Sequence, residues 1–110
     1  MDPDHTPEQV ADLLASSKIQ LIDVREPHEH AAGRIAGDKH IELAELSARA
    51  AEIDRDLPVV FYCRSGARSA MATQAFVGAG YDAHNMDGGL LAWHDRGLPM
   101  DPPGGFVSEP

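Results

Sequence analysis

The chain has 110 residues and 18 acidic against 9 basic side chains, so it has room for one core and carries a net charge of −9. That balance argues against a nucleic-acid partner, whose binding rests on phosphate neutralisation, and the absence of any apolar run near the roughly 20 residues of a membrane helix argues against a membrane span. The acidic start Met1-Asp2-Pro3-Asp4 has no apolar signal region, so a cytoplasmic location is expected, and the single cysteine excludes an internal disulfide, a CxxC dithiol and a cysteine-based zinc site.

In chain order, Thr6-Pro7-Glu8-Gln9 predicts a helix start twice over. Thr6 and Gln9 make a capping box, and Pro7 takes the first helical position, where its missing N–H costs nothing. Val10, Leu13 and Leu14 supply the apolar stripe, and Ser16-Ser17 loosens the end. Ile19-Gln20-Leu21-Ile22-Asp23-Val24 is apolar enough for a central strand and stops at the charged cluster Arg25-Glu26-Pro27-His28-Glu29-His30. Gly33 and Gly37 bracket a turn, and Lys39-His40-Ile41 is at most a short strand. Leu43, Leu46, Ala50 and Ile53 have the spacing of a helix with one buried face, ended by Asp54-Arg55-Asp56-Leu57-Pro58.

Pro58-Val59-Val60-Phe61-Tyr62 is a continuous run of β-branched and aromatic residues and predicts a fully buried strand. After Cys63-Arg64-Ser65-Gly66-Ala67-Arg68-Ser69, the apolar positions Ala72, Ala75, Phe76 and Ala79 follow helical spacing to Gly78 and Gly80. Tyr81 to Met86 is a weaker, alternating strand. Asp87-Gly88-Gly89 then turns the chain into a short helix, Leu90-Leu91-Ala92-Trp93-His94, which Trp93 anchors in the core and Gly97 and Pro99 stop. Residues 101–110, with three prolines and two glycines, are expected to be a loose tail behind a domain spanning residues 1–100. Strand and helix patterns alternate, which predicts an α/β fold with a mostly parallel sheet. In such sheets ligands bind beyond the carboxyl ends of the strands, where Cys63 falls.

A thiol at a strand-to-helix junction meets converging backbone N–H groups and the positive end of a helix dipole, and Arg64 and Arg68 add two full charges. Such surroundings favour the thiolate, so Cys63 is read as reactive and not as a buried apolar filler. Gly66 suits a tight loop of positive φ, Ser65 and Ser69 are hydroxyl donors or, for Ser69, a helix cap, and the arginine pair is read as an anion site. Phosphatases with a cysteine nucleophile need five residues between cysteine and arginine. Here Arg68 is the fifth residue after Cys63, so the loop is one residue short, which disfavours a phosphatase or arsenate reductase and suits a smaller reacting atom, such as one sulfur carried on the cysteine.

Four stretches together resemble single-domain rhodaneses, the thiosulfate sulfurtransferase type, over nearly the whole chain: Leu21 to Pro27 with Glu29; Gly33-Arg34-Ile35-Ala36-Gly37; the loop Cys63 to Ser69; and Gly88-Gly89 with Trp93, Gly97, Leu98 and Pro99. The resemblance implies a central five-stranded, mostly parallel sheet flanked by helices. It also implies transfer of a sulfane sulfur from thiosulfate or a persulfide donor, through a Cys63 persulfide, to a thiol or cyanide. The loop residues Arg64, Ser65, Gly66, Ala67, Arg68 and Ser69 would bind the donor, and neither cofactor nor metal is implied. With one cysteine, the acceptor must come from outside the chain. The alternative is a sulfur carrier or sensing module serving a protein partner, with little turnover on small donors. The family commonly has His and Ala where Arg34 and Asp38 stand, which leaves the fold intact and makes Arg34 a solvated side chain more readily than a rim charge. Of the remaining charges, Arg25 and Glu29 are expected to pair and fix the loop after the second strand, Asp23 is placed to orient an arginine, and His28 and His30 are read as surface histidines.

Overall fold

The computed structural model describes residues 4–110; the acidic start Met1-Asp2-Pro3 lies outside them. Five strands and four helices follow in order: β1 (Asp4–His5), α1 (Pro7–Ala15), β2 (Gln20–Asp23), α2 (Pro27–Ala32), β3 (Lys39–His40), β4 (Val59–Tyr62), α3 (Ala67–Gly78), β5 (Ala83–Met86) and α4 (Gly89–Asp95). The strands form one sheet in the order β1-β5-β4-β2-β3, with every pairing parallel. Within the described residues both edge strands are two residues long, which leaves little unpaired edge there. Among the described residues no helix is long and apolar enough to cross a membrane.

β4 is the middle strand, and the alternation of side chains along it sorts the core into two layers. Val59, Phe61 and Cys63 face α3, where they meet Ala72 and Phe76 together with Ile22, Val24 and Ile41. Val60 and Tyr62 face the other way, toward Val10 of α1 and Leu90 and Trp93 of α4. A strand covered on both sides needs apolar residues at every position, which is why this segment reads as a continuous run. β5 is also buried at all four positions, where an alternating strand was expected, although two of its residues, His84 and Asn85, are polar.

The capping box at Thr6 is present in both directions, with Gln9 N donating to Thr6 Oγ1 at 3.1 Å and Thr6 N to Gln9 Oε1 at 2.8 Å. Three segments depart from expectation. The charged cluster after β2 is a helix, α2, with Pro27 at its first position and Glu29 reaching back to the Glu26 amide. Residues 43–53 are not one helix but two single 3₁₀ turns, Leu43–Glu45 and Ala50–Glu52. Three-residue spacing also keeps one face buried in 3₁₀ turns, so Leu46 and Ile53 reach the core without a continuous α-helix. Residues 101–110 are not loose: Arg34 and Asp101 form an antiparallel bridge, and Phe106 N donates to Ala32 O at 3.0 Å.

Phe61 is fully buried and its ring lies 5.0 Å from that of Phe76. Phe61→Ala is expected to cost about 3–5 kcal/mol in urea unfolding, whereas Val77→Ala, on an exposed face of α3, should stay within about 0.5 kcal/mol of the parent.

Candidate active site

Cys63 follows β4 directly, and α3 begins at Ala67, earlier than its apolar spacing suggests, so Arg68 and Ser69 stand in the first turn of the helix. Gly66 caps α3 at φ 108°, a left-handed conformation that costs glycine nothing. This turn brings three donor atoms to one sulfur: Gly66 N lies 3.1 Å, Ser69 N 3.4 Å and Ser69 Oγ 3.3 Å from Cys63 Sγ, the hydroxyl also lying 3.3 Å from Gly66 O. Ser69 thus serves the sulfur and is not the cap of α3. The loop carbonyls are held elsewhere. Leu90 N donates to Cys63 O at 2.8 Å and Leu91 N to Arg64 O at 3.0 Å. That approach requires Gly89, since a Cβ there would lie 2.5 Å from Arg64 O and 2.6 Å from Cys63 O. Asn85 of β5 closes the back of the loop, its Nδ2 donating to Gly66 O at 3.4 Å. The turn before α4 and the cysteine loop are one unit, and the thiol at its centre is buried.

The two arginines of the loop are both engaged. Arg68 donates from Nη1 and Nη2 to the two oxygens of Glu29, each at 2.8 Å, and Glu29 is fully buried. Burial pushes the Glu29 carboxyl up, but the hydrogen bonds from Arg68 and from the Glu26 amide, with the charges of Arg68 and Arg25, outweigh it and hold the group below its ordinary value. Arg64 donates from Nε to Ser108 O at 3.2 Å, and its Nη2 lies 3.4 Å from Glu109 Oε1. Of the other loop residues, Ser65 and Ala67 are exposed.

The expected Arg25–Glu29 pair is replaced by two others, because α2 carries Glu29 across to α3 while Arg25 turns back onto its own strand. Arg25 Nε and Nη2 donate to Asp23 Oδ1 and Oδ2 at 2.9 and 2.8 Å, and both side chains are fully buried. Nη2 also donates to Gly33 O at 2.8 Å, and the guanidinium lies 5.6 Å from the centre of the Tyr62 ring. Asp23 thus orients Arg25 and neither arginine of the cysteine loop, and it holds His30 as well, whose Nδ1 is 2.8 Å from Oδ2. Burial raises the Asp23 carboxyl, yet the hydrogen bonds from His30 and Arg25 bring it below its usual value. His30 is half-buried and stacks on His40, whose Nε2 donates to Arg25 O at 2.7 Å. Tyr62 donates to Asp38 at 2.6 Å and accepts from Ile35 N, so Asp38 is built into the same network. Burial drives the Asp38 carboxyl up, against the hydrogen bond from Tyr62.

Asp23, His30 and Asp38 bring their ligand atoms within 4.8 Å of one another, but Arg25 already occupies Asp23 and Tyr62 occupies Asp38. That donor set is satisfied by the protein and does not suit a cation. Arg34 is not a rim charge; it reaches His30 O at 3.2 Å and Asp101 at 3.6 Å. Trp93 anchors α4 as expected, buried and donating from Nε1 to Pro99 O at 2.8 Å. Sequence reading expects an ion pair from Glu29 but with Arg25 in place of Arg68, and it gives no sign of the contacts made by Asn85, Ser108 and Glu109.

The Rhodanese-like domain family matches residues 6–96. The chain belongs to the rhodanese-like family. A relative named a sulfurtransferase, from Allochromatium vinosum, is 38% identical over 100 residues, covering 89% of this chain and 94% of its own. The thiosulfate sulfurtransferase of Pseudomonas aeruginosa is 35% identical over 88 residues, or 79% of each chain. Among solved structures, a rhodanese-related protein from Thermoplasma volcanium superposes with a TM-score of 0.82 at 27% identity, covering 88% of this chain and 95% of that one. The all-parallel five-stranded sheet is thus the rhodanese fold, with the cysteine loop at the carboxyl end of its middle strand.

Asp23 and Glu29 ionise at lower pH in the folded rhodanese domain than in the unfolded chain. The stability they contribute is complete above the unfolded carboxyl range near about pH 4, and it is lost as pH falls through their lower folded values. Glu29→Gln should therefore be less stable than the parent at pH 7, with the gap narrowing as pH is lowered below about 4. Urea midpoints measured across that range check this, and a pH-independent gap would refute it.

Proposed function

We propose that the protein is a sulfurtransferase that carries the transferred sulfur on Cys63 as a persulfide. The observation that supports this best is the convergence of Gly66 N, Ser69 N and Ser69 Oγ on Cys63 Sγ. Donors aimed at a sulfur atom stabilise negative charge on it, and they do so before attack and again as Sγ leaves as a thiolate when the acceptor takes the outer sulfur. The shortness of the loop relative to a phosphate-binding one, and relatives named as sulfurtransferases, point the same way.

In the first step the Cys63 thiolate attacks the outer sulfur of thiosulfate or of a persulfide. With thiosulfate, the new S–S bond to Cys63 forms as the donor's own S–S bond breaks, and sulfite leaves with the electron pair. In the second step cyanide or a thiolate attacks the outer sulfur of the Cys63 persulfide, takes it, and returns the Cys63 thiolate. Charge and atoms balance in both steps, and the two-stage course is that of covalent catalysis with ping-pong kinetics. As Cys63 is the only cysteine, the acceptor thiol belongs to another molecule. Arg64, whose partners among the described residues are an exposed carboxylate and a carbonyl, is the residue better placed to meet an anionic donor. Arg68, held by a buried carboxylate, is a positioning residue that fixes the first turn of α3.

A second reading has a specific observation behind it. Both loop arginines face carboxylates, Glu29 and Glu109, which weakens the pull on a small anion and favours a sulfur carrier loaded by a protein persulfide. Intact mass measurement separates the two. On incubation with thiosulfate the protein should gain one sulfur atom, lost on adding cyanide, and Cys63→Ala should gain none. Gain from a persulfide-bearing protein alone would favour the carrier, and no gain from any donor would sink both readings. Ser69→Ala removes one hydrogen bond to a charged sulfur and should slow persulfide formation about tenfold or more. Arg64→Ala should raise KM for thiosulfate more than for an uncharged donor; equal effects would remove Arg64 from the anion site.

A further inference from the structure

Residues 101–110 have a firm base and a weakly held tip. At the base, Arg34 and Asp101 exchange two backbone hydrogen bonds at 2.9 and 2.8 Å, and Phe106 N donates to Ala32 O at 3.0 Å. Val107 packs against the core layer of α1 and α4. Backbone lies directly on backbone here: a Cβ on Gly33 would stand 2.5 Å from Phe106 O, and one on Gly105 3.1 Å from Ala32 O. From this anchor the chain runs on to the cysteine loop. Ser108 O accepts from Arg64 Nε at 3.2 Å, Glu109 Oε1 lies 3.4 Å from Arg64 Nη2, and Glu109 O accepts from His28 Nε2 at 3.1 Å. Pro110 shares with Val24, Glu42, Leu43 and Arg68 the lining of a cavity of about 430 Å³.

We propose that residues 106–110 form a strap in which Glu109 competes with an anionic sulfur donor for Arg64, making Glu109 a specificity-determining residue. A carboxylate and a sulfonate present similar oxygens to a guanidinium, so the two cannot share the same nitrogen at full strength. The tip is weak enough to yield. Its ion pair is long, and the Glu109 side chain is 86% exposed, a setting in which such a pair is worth little. The base holds the tip close, so the carboxylate returns to Arg64 whenever the anion leaves. An uncharged donor gains nothing from Arg64 and has no carboxylate to displace. The strap therefore taxes anionic donors selectively.

The identity of the donor rests on the function proposed above, but the competition at Arg64 has its own readout. Cys63 is the only thiol, so alkylation of the full chain reports this one site. Iodoacetate carries a negative charge and iodoacetamide does not. Glu109→Gln is expected to speed modification by iodoacetate about two- to fivefold, while the iodoacetamide rate changes by less than about 1.5-fold. Gly105→Val, which drives the base off Ala32, should raise the same ratio. Glu42→Gln is the control for overall charge, since Glu42 lines the same cavity without an ion pair to Arg64, and it should move the ratio less than Glu109→Gln does. An unchanged ratio in both strap variants, equal acceleration of both reagents by Glu109→Gln, or an equal effect of Glu42→Gln would overturn the proposal. With thiosulfate, Glu109→Gln should lower KM by the same factor at unchanged kcat. If the parent gains no sulfur from any donor, the function proposed above fails while the alkylation ratio still decides the strap.

Discussion

Two carboxylates buried at the carboxyl end of the sheet, each gripping a guanidinium, are what the rest of the site is hung from. Asp23 holds Arg25 and Glu29 holds Arg68, and both carboxylates are out of solvent. Removing an ion from water is expensive, and the attraction between partners offsets that cost only when geometry is good and the remaining oxygens and protons are used. On Asp23 they are, since it also accepts from the Arg25 amide and from His30; Arg25 also donates from Nη2 to Gly33 O, while its Nη1 is buried without a hydrogen-bond partner among the described residues. Because a displaced partner would leave a bare buried charge, α2 cannot drift from β2, nor α3 from α2. The first turn of α3, with Ser69 in it, is therefore placed by a contact 39 residues distant in sequence.

The overall charge of −9 works against capture of anions, and the pairings sharpen the point. Arg68 is neutralised from inside the fold, and Arg64 from the outside by a side chain that solvent can reach. The first is structural charge, fixed for as long as the chain is folded. The second is conditional. Of the two loop arginines, only Arg64 is thus left without a buried carboxylate as its partner.

Much of this was legible in sequence because it is local. The apolar run at Val59 to Tyr62, the glycine at Gly66 and the helical spacing after it put Cys63 at a strand-to-helix junction, and the Thr6 capping box needs only four residues to be seen. The rhodanese resemblance followed from short motifs in order. What stayed hidden depends on partners far apart in the chain. Arg25 and Glu29 are near neighbours of opposite charge and invite pairing, yet the start of α2 between them sends each to a different partner. The spacing at Leu43, Leu46, Ala50 and Ile53 is shared by α-helix and successive 3₁₀ turns, so periodicity alone could not choose. The prolines and glycines of residues 101–110 suggest looseness by composition, whereas Gly33 and Gly105 are there to let two backbones touch.

The closeness of Gly89 to the cysteine loop has a consequence for the order of events during folding. The carbonyls of Cys63 and Arg64 are turned away from the sulfur only because Leu90 and Leu91 take them. Until that last helix docks, those oxygens have no partner and the loop has no reason to point its amides inward. The Cys63 thiol is then without its cage. The arrangement of donors around Cys63 Sγ is a property of the finished chain, and it depends on contacts that Leu90 and Leu91 make later in the sequence.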